Sequence, residues 1–377
     1  MKYIPLSIFM ILVIFPLPCF TQTSIYADKF WIAKIDTALH LIYNMEFDKA
    51  KAKTREVESH FGPHPAVDLL NAEIVFWGNR PLKPGTPPYK EYMRLLDDVI
   101  ALTQKEFPDE RYAMEKNFYL MSGYSLIAEQ YAEDKDYWSV LAYARNAYKY
   151  MINGMGHEQD IPEYYFTTGL YNYYRIKYPE LHPFYKSFTW FFMDGNKDLG
   201  IKYLKKASEQ ALFLKEQAYI YLFHIYMRYE NDPATALPYA WDLVKMFPGN
   251  LHFMALYAEG LYYNNSFIQL NNYANLLASQ NRAFYNIPGF LFKGLVAEHY
   301  NRLDEAKNYF NKSISLDVDH ELEDDHYLAM DYAGLARIAL RDKDLESAKD
   351  FYQLAEKTEP YVPVKAEAEA FFEKKVQ

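Results

Sequence analysis

Between residues 329 and 360 the chain places Tyr332, Leu335, Ala336 and Ala339, then Ala348, Tyr352 and Ala355, at helical intervals around a polar turn, Arg341-Asp342-Lys343-Asp344, and then stops at Pro360. Two helices with such stripes pack against each other and still leave a face bare. A self-similar helix–turn–helix of about 34 residues buries that face only by stacking on a neighbour, so the unit predicts an array. It recurs upstream. Aligning Ala236 with Ala348 brings Pro248 to the place of Pro360, and Phe290, Gly294, Ala306 and Phe310 mark a further unit. Ala236 and Ala306 are 70 residues apart, which is two periods. The degenerate unit between them, over 251–284, keeps Leu261, Leu270, Ala274 and Leu277. Ala306 to Ala348 is 42 residues, so an insertion is expected in the acidic stretch 317–325.

The predicted fold is all-α, a solenoid of antiparallel helix pairs. Composition agrees. With 37 Tyr and 26 Phe against 14 Gly, the chain carries too much buriable surface for disorder and too few turn residues for an all-β fold. The formal net charge of −10 repels a phosphate backbone, and no Lys/Arg stripe offsets it, so nucleic acid is excluded as a partner.

Residues 1–21 read as a secretory signal peptide: Met1-Lys2, an apolar run, then Pro16 and Pro18 before a polar stretch. Cys19, the only cysteine, lies inside it. Its neighbours Pro16, Leu17 and Pro18 are not the small residues that lipid attachment requires, so lipoprotein anchoring is disfavoured. The expected mature chain is exported, periplasmic or secreted, open to envelope association, without disulfides and without a transmembrane span.

Three sections follow. Residues 22–160 hold weaker helix pairs, beginning with Ala38, Leu41 and Ile42, then Phe47, Ala50 and Val57, and interrupted by a long proline-rich loop at 79–88. Residues 161–216 are irregular and aromatic, with a helix around Tyr164 to Tyr174 and a linker from Tyr178 onward. Residues 217–377 form the clearest array, ending in a capping helix near 364–376.

These spacings resemble the tetratricopeptide-repeat family, best over 217–360 and more weakly over 30–150. The block Gly169-Leu170-Tyr171-Asn172-Tyr173-Tyr174 with Gly195-Asn196-Lys197-Asp198-Leu199-Gly200 is similar to a segment of exported bacterial members of unassigned function. The resemblance implies a right-handed superhelix whose concave face binds a protein or peptide partner. It places Tyr221, Arg228, Glu259, Tyr262, Glu298 and Arg337 on that inner face, where a solvated helix surface is the plainer alternative. The tryptophan-like position of each unit is instead Ile220, Met254, Phe290 or Tyr332, and the basic clamp for a peptide carboxylate is missing.

A rival reading uses Tyr171 and Tyr174 as an aromatic platform for glycans or small molecules, although a helix aromatic all round usually lies in a core. The run His320 to His326 concentrates metal-type ligands but has neither a calcium-loop glycine nor a zinc-protease spacing, so it reads as a solvated inter-repeat linker and helix start, and no metal is expected. With no nucleophile elbow, phosphate loop or dinucleotide fingerprint, the expected function is a non-enzymatic interaction scaffold needing no cofactor.

Overall fold

In the computed structural model the described residues are 24–106, 112–181, 193–320, 325–358 and 362–374. Among them are a 3-10 turn at Ile25–Ala27, seventeen α-helices and no strand. The first four pairs are α1 (Lys29–Tyr43) with α2 (Phe47–Phe61), α3 (Pro65–Asn79) with α4 (Pro87–Glu106), α5 (Ala113–Glu133) with α6 (Tyr137–Gly154), and α7 (Glu163–Leu181) with α8 (Lys197–Gln210). Then come α9 (Lys215–His224) with α10 (Pro233–Met246), α11 (Leu251–Tyr263) with α12 (Phe267–Ala278), α13 (Ala283–His299) with α14 (Leu303–His320), and α15 (Asp325–Arg341) with α16 (Leu345–Lys357). A last helix, α17 (Val362–Lys374), covers α15 and α16. Consecutive helices make the principal packing contacts, as a repeat stack requires.

The periodicity is written in the backbone as well as in the side chains. Six residues other than glycine take positive φ: Met45, Lys135, Asn231, Asn265, Asn301 and Lys343. Each stands two places before the second helix of a pair. In the last unit Asp344 N donates to Ala339 O at 2.9 Å and Lys343 N to Leu340 O at 3.1 Å. The same two bonds recur after α1, α5, α11 and α13. This left-handed exit satisfies carbonyls that a helix end otherwise strands. Asp136, Asp232 and Asp344 then cap the following helices by accepting from the backbone of Ser139, Thr235 and Ser347. From Asn231 to Asn265 is 34 residues, one period. Among the described residues, the pair α3/α4 does not show this exit; there the sequence pattern is interrupted by the proline-rich loop.

Two boundaries differ from expectation. The helix α7 runs to Leu181 with Pro179 in its last turn, so no linker begins at Tyr178. The expected acidic linker is helical as far as His320, and Asp317 is buried. The rest of that linker at 321–324, the stretch 1–21 read as a signal peptide with Cys19, the remaining linker at 182–192 and Pro360 all lie outside the described residues.

The glycine-rich central block is a helix crossing. A Cβ on Gly200 would stand 2.6 Å from Tyr173 N and 2.8 Å from Gly169 O, so α7 and α8 meet backbone to backbone. Asn196 caps α8 through Leu199 N, and its own N–H donates to Asn172 Oδ1 at 3.1 Å. Tyr164, Tyr165, Phe166 and Tyr173 are buried, which makes most of the aromatic helix core.

The stack also closes on itself. Asn250 is fully buried and does two jobs. Its Oδ1 caps α11 by accepting from His252 N (3.0 Å) and Phe253 N (3.1 Å), and its Nδ2 donates to Tyr43 O (2.8 Å), 207 residues away. Beside it Gly249 N donates to Asn44 Oδ1 at 2.9 Å, and a Cβ on Gly249 would meet Asn44 O at 2.5 Å. Tyr43 packs its ring among Trp77, Phe247 and Phe253, while Lys215 pairs with Asp36 at 2.8 Å. One apolar cluster therefore runs from Ile25 to Ala368, and a smaller one joins α7, α8 and α9.

Two outcomes follow for thermal or urea unfolding. Lys343 is exposed and left-handed, so Lys343→Gly should stabilise the chain by about 0.5–1 kcal/mol, whereas Lys343→Val should destabilise it. Asn250→Asp keeps the cap but loses the donor to Tyr43 O, at a cost of about 2–3 kcal/mol. Asn196→Asp, at an exposed cap without such a donor role, should be nearly neutral.

Candidate functional site

Closure turns the concave side into a chamber of about 730 Å³. Its wall comes almost entirely from the first helix of each pair, with spacings that bring every fourth residue or so to one face. The helix α3 and the turn after it give Glu73, Phe76, Trp77 and Arg80; α5 gives Leu126, Glu129, Gln130 and Glu133. The helix α9 gives Gln217, Ile220, Tyr221 and His224; α11 gives His252, Ala255, Leu256 and Glu259. Tyr174 of α7, Phe284 and Tyr285 of α13, and His326 and Tyr327 of α15 complete most of the lining. The wall steps from the C-terminal half of α5 to the N-terminal ends of α13 and α15, so the chamber runs obliquely across the stack.

A π-helical turn at Ile225–Tyr229 extends α9 and carries Arg228 and Tyr229 into the wall. The extra residue shows in the exit, where Asp232 N reaches back to Tyr226 O instead of to the carbonyl five places before it. Such turns concentrate at functional positions because they re-aim side chains at a cost in backbone regularity. The loop after α3 is held in place by Arg282, whose guanidinium donates to the carbonyls of Gly78 and Arg80. The Arg80 guanidinium lies over the rings of Phe76, Trp77 and Phe284 at 5.1, 5.4 and 5.9 Å.

Electrostatically the chamber wall interleaves acids, imidazoles and guanidiniums. Burial pushes Glu73 up to about 7, against the Trp77 indole N–H it accepts at 3.0 Å and the nearby charge of Arg80. Glu129 is accessible from the chamber yet crowded by protein, and this desolvation, reinforced by Glu133, raises its pKa. Across the chamber, burial holds His224 and His252 well below the usual imidazole range, and the charges of Arg228 and Arg80 add to that. Both imidazoles are therefore neutral at pH 7, whereas the guanidiniums stay charged. His326 is also lowered by burial, with Glu259 opposing; its Nε2 lies 3.4 Å from Glu259 Oε1 without hydrogen-bond alignment.

Of the inner-face residues drawn from the repeat resemblance, Tyr221, Arg228 and Glu259 line the chamber. Tyr262 stacks on Tyr263 and Phe267 instead, off the wall. Glu298 and Arg337 grip each other at 2.7 and 2.8 Å, and Arg337 extends to Glu367 of α17 at 3.1 Å. Arg341 adds a contact to Glu298 at 3.3 Å, and Tyr352 donates to Glu367 at 2.7 Å. That pair therefore fastens the far end of the stack. Of the aromatic platform, Tyr174 reaches the chamber, but Tyr171 donates to Met193 O at 2.8 Å elsewhere. His326, read as part of a solvated linker and helix start, does open α15, and it enters the chamber wall instead of facing solvent. No group of metal-type ligands occurs among the described residues. The sequence reading missed Glu73, Trp77, Arg80, Glu129, His224 and His252. The available signal was the repeated spacing of polar residues along α3, α5, α9 and α11.

Buried ionisable groups predict a stability maximum near about pH 6. Glu216, buried in α9, has its pKa raised by burial to about 8 from 4.5. Its folded form holds the proton more tightly, so its contribution is full below pH 4.5 and gone above pH 8. Glu73 acts likewise up to about pH 7. The opposite limb comes from His64, held at about 3 by burial, and from His224 and His252. Their contribution is full above pH 6.5 and lost as the pH falls. Denaturant titrations from pH 4 to 9 should show both limbs, and Glu216→Gln should flatten the alkaline one by about 1.4 kcal/mol per pH unit.

No model of a known protein family matches this chain, and no curated protein matches it.

Proposed function

We propose that this chain is a non-enzymatic binding protein of tetratricopeptide type, a right-handed superhelix exported from the cell, that takes a peptide partner in its concave face. The observation carrying this reading is the chamber itself. Side chains more than 250 residues apart, from Glu73 to Tyr327, converge on one enclosed space, mixing rings with charges. Pockets of roughly 300–1,000 Å³ suit small organic ligands, and this volume suits a peptide of a few residues better than a helix laid in an open groove. Tyrosine and arginine are the side chains that most often dominate recognition energies, and Tyr221 and Arg228 are of those types.

A glycan remains the second reading, supported by Trp77 and Tyr174 lying beside carboxylates in the same wall. Trp77 reports on both, because its indole lines the chamber. Titration of peptide and oligosaccharide pools against tryptophan fluorescence should give saturable changes with peptides. Tyr221→Ala and Arg228→Ala, checked for helicity by circular dichroism, should weaken binding at least tenfold, or about 1.4 kcal/mol each. Saturation by oligosaccharides alone moves the function to the second reading. Peptide binding unchanged in both variants removes the chamber as the site.

A further inference from the structure

Among the described residues, every other second helix of a pair buries at least three residues, but α6 buries only Gly154. It rests on α5 and barely meets α7. Its outer face is apolar at one end, where Tyr137, Trp138 and Leu141 are 67%, 84% and 64% exposed. Trp138, Leu141, Arg145 and Lys149 follow one another at spacings of three and four, which aligns them in one stripe along the helix. All four are exposed.

Charge sets this helix apart as well. It contains no Asp or Glu, in a chain whose formal net charge is −10. Lys149 lies over the Tyr150 ring at 5.3 Å, and among the described residues no carboxylate pairs with it or with Arg145. The acids that precede α6 are committed elsewhere. Glu133 lines the chamber, Asp134 accepts from Tyr89 and Gln130, and Asp136 caps α6 through Ser139.

A single exposed leucine is ordinary, whereas adjoining tyrosine, tryptophan and leucine beside cations without counter-ions mark an interaction surface. A stable protein interface covers about 800 Å² and about 20 residues on each side. The apolar part of this stripe is three side chains on the ridge of one helix, too little for that. A bilayer asks for less, because its headgroup region yields around a ridge. Tryptophan and tyrosine settle at headgroup depth, leucine reaches the acyl boundary, and arginine and lysine extend back to lipid phosphates. The net charge does not forbid such contact. At physiological ionic strength charges beyond about 8 Å are largely screened, so the acid-free face governs the approach.

We propose that α6 is a membrane-docking helix that lies in the headgroup region of an anionic bilayer. Tyr137, Trp138 and Leu141 enter the bilayer surface, and Arg145 and Lys149 hold lipid phosphates. The proposal is independent of the peptide reading, since α6 contributes nothing to the chamber wall.

Co-sedimentation of the full chain with phosphatidylcholine vesicles, with and without phosphatidylglycerol, tests this at physiological salt. Binding should be at least about tenfold tighter where phosphatidylglycerol is present. Trp138→Ser with Leu141→Ser should abolish binding to both vesicles, and Arg145→Gln with Lys149→Gln should remove the preference for phosphatidylglycerol. These side chains are exposed, so thermal unfolding should be unchanged in both variants. Lipids brominated in the acyl chain should quench the fluorescence of the parent chain more than that of Trp138→Phe. No binding to either vesicle overturns the proposal. So does binding that the α6 variants keep, which the apolar run within residues 1–21 alone would give, or equal quenching in Trp138→Phe. A concentration-dependent dimer that Trp138→Ser abolishes, without vesicle binding, overturns it in favour of a second copy of the chain.

Discussion

The buried amide of Asn250 holds the molecule in its working shape. A stack of helix pairs needs only neighbour contacts, and nothing in that logic makes its beginning meet its middle. Asn250 imposes the meeting: one side chain caps α11 and reaches the carbonyl of Tyr43. The contact works because the adjacent position is glycine, which lets the 249 and 44 backbones come together, and because Tyr43, Trp77, Phe247 and Phe253 seal the space around it. Rings of this size contribute mainly by area removed from water, while the hydrogen bonds fix the register. Without closure the inner face would be an open groove lined by the same residues. With it, that face becomes a chamber lined from several helices at once.

The sequence made the repeats legible because a period of large and small residues is local information. The left-handed exits explain why the array tolerates so few glycines: asparagine and lysine take the positive φ at exposed turns, and the half-buried Met45 takes it as well. The helix pairs were therefore readable to within a few residues almost throughout. Two exceptions stand out: α7 continues through Tyr178 and Pro179 to Leu181, and α14 continues through the start of the acidic run to His320, with Asp317 buried on it.

The site was half legible. Tyr221, Arg228 and Glu259 follow from the inner face of the repeat, because that face depends only on position within a unit. Arg80 lies in an insertion the repeat does not define, and His326 looked like part of a charge run. Their roles come from closure, a contact across about 200 residues that no periodicity announces. The glycine-rich central block shows the reverse case. Its residues looked individual enough for function, and they turn out to be what two helices need to cross at backbone distance.

The two parts of the inner face place similar side chains in different settings. At the C-terminal end, Glu298 and Arg337 occupy inner-face positions like those of Glu259 and Arg228. There α17 covers them and supplies Glu367, so Arg337 is bound by two carboxylates and the tyrosine hydroxyl of Tyr352 is satisfied by the same acid. Charge, donor and shape are complete within the chain. In the chamber the same kinds of side chain line open space instead. Removing one partner of a buried charge pair is costly, so Glu298, Arg337 and Glu367 tie α13, α15 and α17 into one unit at the far end of the stack.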